Sequence, residues 1–502
     1  MSTRLTQREL ESYLWGAATL LRGLIDASDY KQYIFPLMFF KRLSDVWDED
    51  YREAFEETGD EGYATSTAND RFIVPAGSHW EDVRATSTDV GRAILSAFQE
   101  IEKSNPERLQ GVFGNAQWTD KGQMPDATLK NLIEHFSKHD LSLGAVPEDE
   151  LGNAYEYLIK KFADDSGHTA QEFYTNRTLV HLMAQMLDPQ TGEDVYDPTC
   201  GTGGMLISCL AEVKRNGGDT RTMGLYGQEL INITAAIARM NLVIHGVSDF
   251  QVASGNTLSD PAFVEGDKLR SYDIVLANPP YSIKKWNRDA WTSDAWGRNF
   301  LGTPPQGRAD YAFFQHILNS MDPETGRCAV LFPHGVLFRN EEAEMRRNLI
   351  ETDLVECVLG LGPGLFYNSP MEACVIICRS KKPAERQKQV LFIDAVAEIE
   401  RERAQSFLKP ENQQHILDAY QGFTNAPGFA SVVRTADVLA ADGDLSIARY
   451  VKKPKPEISA DEAVGLKDSW SAFDAEGRDF WTGMDALVDM LDELESGKDA
   501  DA

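Results

Sequence analysis

Asn278-Pro279-Pro280-Tyr281 carries the most specific chemistry in this sequence, and it directly follows an apolar, strand-like run, Asp273–Ala277. An amine conjugated to a purine ring is a poor nucleophile, because its lone pair is delocalised into the ring. Acceptors aimed at both of its hydrogens, the Asn278 side-chain oxygen and the Pro279 carbonyl, would draw the nitrogen toward tetrahedral geometry and free that lone pair. The paired prolines stiffen the loop, so the acceptors are set before the amine arrives. Tyr281 adds a ring face on which a planar group turned out of a duplex can stack. The plainer alternative is a rigid Pro-Pro turn over a buried tyrosine.

A second constellation lies upstream. Asp197-Pro198-Thr199-Cys200-Gly201-Thr202-Gly203-Gly204 follows a short strand, Asp194–Tyr196, and opens a helix. Glycines at such a turn let the backbone touch a ligand, and the helix start offers free N–H groups. The turn alone is equally a tight packing connection. It is not a phosphate loop, since no Gly-Lys-Ser/Thr follows. Glu229 ends the next strand, 32 positions on (229 − 197), where doubly wound nucleotide folds place an acid for ribose hydroxyls. A lone acid there would serve the helix dipole instead; beside the Gly-rich turn, the ribose reading is the stronger. Glu172-Phe173-Tyr174-Thr175-Asn176-Arg177 precedes a helix from Leu179. Its rings and hydroxyls can clamp a ligand, or staple and cap the helix. Cys200 sits in the Gly-rich turn and not after a proline, which argues against a cytosine-C5 nucleophile.

These motifs need a scaffold. Thr222–Tyr226, Asp273–Ala277, Arg327–Phe332 and Ala373–Cys378 read as buried parallel strands, and Leu179–Leu187, Gly203–Arg215, Asn232–His245 and Ala309–Met321 as helices. That alternation predicts a doubly wound α/β sheet. Before it, residues 1–150 read as a mostly α-helical domain, with helical patterns over Thr6–Tyr51, Val90–Glu102 and Asp126–His139 and a polar loop over Gly59–Gly77. The sheet domain is expected over 151–400. The remainder, 401–502, reads as a partly helical extension closing with a helix over Trp481–Glu495 and an acidic tail.

With 502 residues, 42% hydrophobic and 25% charged, the composition is that of a globular protein of two or three domains. No run approaches a membrane span, and Met1–Leu10 lacks a signal peptide's apolar core, so a cytoplasmic protein is expected. The six cysteines show no paired spacing, which predicts reduced thiols and no metal site. A net charge of −30 repels a polyanion. Either the substrate is not nucleic acid or a basic partner brings the DNA.

With its motifs in this order, the sequence resembles the modification (methyltransferase) subunit of type I restriction–modification systems, an amino-methyltransferase of the γ arrangement. Leu14-Trp15, Leu21-Arg22-Gly23 and Tyr30-Lys31 resemble that family's helical N-terminal domain. Glu172–Arg177 resembles its Phe-Tyr-Thr-Pro-Arg stretch, with Asn176 where the family usually has Pro. Asp197–Gly204, Gly255–Leu258, Gly335–Phe338 and Gly364–Asn368 are similar to further family segments. The resemblance implies a Rossmann-like sheet, S-adenosyl-L-methionine as cofactor, and methylation of adenine N6 in DNA after base flipping. It implies a separate specificity subunit, usually with two methyltransferase subunits to each, and a restriction motor-nuclease subunit. Asp197, Gly201, Thr202, Gly203 and Gly204 would hold the methionine half of the cofactor, Glu229 its ribose, and Asn256 its adenine. Glu172, Phe173, Tyr174, Thr175 and Arg177 would close over it. Asn278, Pro279, Pro280 and Tyr281 would act on the base, with Phe366 against its other face. Rival readings are a methyltransferase for glutamine amides or RNA, since Asn-Pro-Pro-Tyr serves those too, and a catalytically silent assembly subunit.

Overall fold

The N-terminal helices form because apolar residues recur three and four apart and polar caps start them. In the computed structural model, which describes residues 5–165, 175–281, 283–365, 371–402, 405–453 and 466–496, α1 (Gln7–Leu21) begins at a capping box between Thr6 and Glu9. The long α2 (Lys31–Thr58) buries Tyr33, Phe35, Phe39 and Phe40 and ends at Gly59, whose φ of 67° suits glycine. The stretch expected to be a loop after Gly59 contains α3 (Glu61–Asn69). Asp60 caps it by accepting from Gly62 and Tyr63, and only Ala64 and Ala68 are buried, so an apolar period had little to reveal it. α4 (Val90–Ser104), α5 (Asp126–Phe136) and α6 (Glu148–Asp165) follow, with shorter helical turns at Trp80–Arg84 and Pro106–Leu109.

Nine strands make the main sheet: β1 (Asp194–Asp197), β2 (Gly224–Glu229), β3 (Phe250–Ser254), β4 (Ile274–Ala277), β5 (Arg327–Pro333), β6 (Val355–Pro363), β7 (Glu372–Arg379), β8 (Gln389–Ala395) and β9 (Ala430–Arg434). Their order is β9-β8-β6-β7-β5-β4-β1-β2-β3. The consecutive sheet neighbours β3-β2-β1-β4-β5 pair in parallel, as does β6 with β8. The run Ala373–Cys378, expected to be parallel, is instead antiparallel to both β5 and β6. An all-apolar run reports burial on both faces and says nothing of direction, and the short link from β6 forces a reversal. β6 itself escaped the sequence reading, because Glu356 interrupts its apolar run. That carboxylate is fully buried and accepts from Tyr420, Arg379 and Arg386.

The helices that flank this sheet include α7 (Arg177–Leu187), α8 (Gly204–Arg215), α9 (Asn232–Ile244) and α10 (Asp310–Asn319). The N-terminal helices do not stand apart. Ile237, Met240 and Ile244 of α9 belong to their hydrophobic core, and the Tyr155 hydroxyl donates to the Ile237 carbonyl at 3.2 Å. Residues 1–452 form one compact unit and 453–502 a second. The second contains α11 (Leu466–Ser496), a 31-residue helix with exposed Trp470, Phe473, Phe480 and Trp481. No helix among the described residues is long and apolar enough to cross a membrane.

Candidate functional site

Chain order reverses beside β1, where β4 lies on one side and β2 on the other. Open α/β sheets bind ligands at such a switch point, beyond the carboxyl ends of the strands. A cavity of about 740 Å³ lies there. Its lining includes Thr175, Arg177, Asp197, Gly201, Thr202, Gly204, Glu229, Asn256 and the whole Asn278–Tyr281 loop. Residues as far apart in the chain as Thr175 and Asn278, 103 positions, therefore meet at one cavity because β1, β2, β3 and β4 end side by side. Gly203 is not part of the lining. Its φ of 81° instead bends the chain into α8, where it caps the helix without a side-chain acceptor. Glu172, Phe173, Tyr174 and Phe366 lie outside the described residues.

At the β1–β2 end, Glu229 is held rigid. One carboxylate oxygen accepts from the Gly201 N–H at 3.0 Å and the other from Ile231 N–H at 2.8 Å. Asp197 is 2% exposed and accepts from the Thr199 N–H. Burial, with a smaller contribution from Glu229, pushes its carboxyl up to about 8. A carboxyl so raised is largely protonated near neutral pH and ionises when a cation lies beside it. A Cβ at Gly204 would lie 1.6 Å from Nη1 of Arg177, which crosses the start of α8, so that guanidinium would have to swing aside. Arg177 in turn pairs with Glu156 of α6. The other oxygen of Glu156 accepts from Asn241 Nδ2 at 2.7 Å, and the same amide donates to the Thr202 carbonyl at 2.9 Å. A helix of the N-terminal region thus braces the Gly-rich turn.

At the β4 end, Asn278 Nδ2 donates to Thr175 Oγ1 at 2.9 Å, which turns the amide oxygen toward Tyr281, whose hydroxyl donates to it. Burial keeps that phenol protonated far above neutral pH. A carboxamide oxygen has two lone pairs, so one stays available to a further donor. Asn278 is half-buried at the cavity wall and not sealed beneath packing. Cys200 is 5% exposed and burial raises its thiol, so it presents no thiolate.

Asn176, the departure from the usual proline, has two jobs. Its side-chain oxygen caps α7 through the Thr178 N–H, and its Nδ2 donates to the Ser406 carbonyl at 2.7 Å. Asn256 lines the cavity, and its oxygen accepts from Leu258 and Ser259 to close a turn. Sequence reasoning missed Leu230, 64% exposed, and Phe313 on the apolar wall, while the third member, Leu258, lies in the Gly255–Leu258 segment that the family resemblance marks. Leu230 directly follows the acid Glu229, and that adjacency was the available signal. Glu156 and Asn241 had none, since their roles depend on long-range contacts.

The cavity fits S-adenosyl-L-methionine. It offers a buried acid for a cationic amine, a helix start with no side-chain cap for a carboxylate, an acid at a strand end for vicinal hydroxyls, and apolar side chains for a purine.

Comparison with known proteins points the same way. The family model described as N-6 DNA Methylase matches residues 146–458, and the model described as HsdM N-terminal domain matches residues 10–136. The Type I restriction enzyme MjaIX methylase subunit of Methanocaldococcus jannaschii is 26% identical, covering 97% of this chain and 89% of that protein. The HindI methylase subunit of Haemophilus influenzae is 29% identical, over 76% of this chain and 91% of its own. The crystal structure of the type I restriction-modification system methyltransferase subunit from Streptococcus thermophilus superposes with a TM-score of 0.78 at 28% identity, covering 89% of this chain and 100% of that one.

Proposed function

The chain belongs to the N-6 DNA methylase family, as a type I restriction methylase subunit, and on that premise we propose that it methylates the exocyclic N6 of adenine in double-stranded DNA, using S-adenosyl-L-methionine. The observation that carries this reading is the shared cavity. The Asn278–Tyr281 loop and the Asp197–Gly204 turn with Glu229 open onto the same space. Bound there, the cofactor supplies an electrophilic methyl group for direct transfer to an amine.

Asp197 would face the amine of the methionine half, with the start of α8 and Arg177 toward its carboxylate. Glu229 would take the ribose hydroxyls, and Leu230, Asn256 and Leu258 would surround the purine. The target base, turned out of the duplex, would meet Tyr281. Its amine would donate one hydrogen to the open lone pair of Asn278 Oδ1 and the other to the Pro279 carbonyl. Both acceptors are fixed beforehand, Asn278 by Thr175 and Tyr281, and Pro279 by its ring, so little reorganisation accompanies the reaction.

We assign site selection to a separate specificity subunit, with two copies of this chain for each, and cleavage to a motor-nuclease subunit, all acting on cytoplasmic DNA. Residues 1–150 would serve as the helical arm and 151–400 as the methyltransferase; of the extension 401–502, β9 completes the methyltransferase sheet and the unit from 453 would serve assembly. Two features support that division of labour. The net charge of −30 leaves DNA affinity to a partner, while Lys285 and Arg308 still place positive charge at the cavity. On α11, Trp470, Phe473, Phe480, Met484, Leu487 and Leu491 are exposed and follow a seven-residue pattern, the seam of a helix that packs on another helix.

The test is transfer of labelled methyl from S-adenosyl-L-methionine by the assembled complex to unmodified DNA, RNA and protein. Label on DNA adenine supports the reading. Label on RNA or glutamine, or none on any substrate, overturns it.

A further inference from the structure

Between the Asn278 loop and α10, residues 286–305 take no part in the chemistry above, yet they enclose the most buried arginine near the cavity. Arg298 is 1% exposed. Its guanidinium donates to Asp294, with Nη2–Oδ1 at 2.6 Å, to the Thr257 carbonyl at 3.0 Å and to the Leu258 carbonyl at 2.8 Å. Nη1 also lies 3.3 Å from Nδ1 of His316. Burial and the adjacent Arg298 keep His316 neutral, so this nitrogen is an acceptor while Nε2 faces the Tyr196 hydroxyl. The rings of Trp291 and Trp296 lie 4.5 and 4.8 Å from the guanidinium carbon. The partner Asp294 is 3% exposed along its side chain.

A buried ion pair of this kind brings little stability over well-packed apolar residues, so its placement calls for another reason. The carbonyls it fixes belong to residues lining the cofactor end of the cavity. Thr257 passes the constraint on, since its hydroxyl donates to the Pro198 carbonyl of the Gly-rich turn at 2.5 Å. The same segment also runs to the base end. Trp286, five positions after Tyr281 (286 − 281), lines the cavity, packs against the cluster of Leu258 and Phe313 and contacts the edge of Trp291, ring centroids 5.9 Å apart.

Resting on the function proposed above, we propose that Arg298 is a positioning residue shared by both substrates. It holds the Asn256–Leu258 segment and the Trp286–Trp291 segment as one body, so that a seated cofactor firms the loop that receives DNA. Binding is then reciprocal: the cofactor strengthens DNA binding by the same factor as DNA strengthens cofactor binding.

Arg298→Lys tests this, because a lysine can satisfy Asp294 but cannot also reach both carbonyls. Asp294→Asn with Arg298→Met removes both charges at once and avoids an unpaired buried carboxylate. Arg327→Lys serves as the control. It alters another buried arginine, 6% exposed, which binds Glu193 and the Leu187 and Asp188 carbonyls away from the cavity. Cofactor affinity of the full-length chain is read by calorimetry. KM, kcat and DNA affinity with and without S-adenosyl-L-homocysteine are read on the complex with unmodified host DNA. The Arg298 variants should raise the cofactor Kd and KM roughly tenfold with kcat changed less, and cut the DNA-affinity gain from several-fold toward one. Arg327→Lys should lower the melting temperature while leaving these values near wild type. Equal effects from the two positions, or an intact DNA-affinity gain in the Arg298 variants, would overturn the inference. A wild-type chain that binds no S-adenosyl-L-methionine would overturn the functional reading itself, and this inference with it.

Discussion

Arg298 and Arg327 are nearly matched in chemistry: each is buried, paired with a carboxylate and bonded to backbone carbonyls on a neighbouring segment. They differ in which end of the sheet they serve. Arg327 starts β5 and ties down the turn between α7 and β1, at the amino ends of the strands. Arg298 ties down the segment that follows β3, at the carboxyl ends where the cavity lies. In a parallel sheet the strand direction divides labour, so one interaction holds the fold and the other shapes the site.

The sharpest break between the two ends should come from Asn278→Ala. It should cost roughly 10²–10³-fold in kcat, or more if both acceptors act together, with cofactor affinity nearly kept. Single-turnover methylation alongside calorimetry checks it. At the other end, Arg327→Met should destabilise the chain by about 3 kcal/mol by stranding Glu193, and leave cofactor Kd unchanged below the melting transition. Denaturant unfolding with and without cofactor reads that. Glu229→Gln sharpens the comparison within the cavity. It should weaken cofactor binding about tenfold while kcat at saturation largely recovers, since Glu229 also holds Gly201 in place.

The mildest effect is one of pH. With burial raising the Asp197 carboxyl to about 8 against 3.8 unfolded, the folded chain holds a proton the unfolded chain loses. Its stabilising contribution is therefore present at low pH and lost as pH rises through 8. A cationic amine favours the carboxylate, so cofactor binding should release this proton. Affinity should then climb by up to about tenfold per pH unit below that pKa and level off above it. Calorimetry in buffers of different ionisation enthalpy measures the released proton, and Asp197→Asn should abolish the release.

The two motifs that line the cavity were the legible part of the sequence. Asn278–Tyr281 and Asp197–Gly204 are contiguous, and their chemistry follows from residue type and adjacency alone. Glu229 needed only one strand of spacing to find. The residues that hold those groups were not legible. Glu156 reaches Asn241 across 85 positions, and Arg298 reaches Thr257 across 41; no local pattern encodes such meetings. The fold divides in the same way. Helices and the parallel strands around β1 were marked by apolar periodicity, whereas the reversed β7 depends on pairing, which an unbroken apolar run does not specify. α3 was hidden for a different reason, since a helix burying only two alanines carries almost no amphipathic signal.

Methylome sequencing of a host carrying this chain with its partner subunits tests the central claim most directly. The account predicts N6-methyladenine at a defined site with the wild-type chain and its loss with Asn278→Ala expressed at the same level. The same methylation persisting in the Asn278→Ala host, or none in the wild-type host, would contradict it.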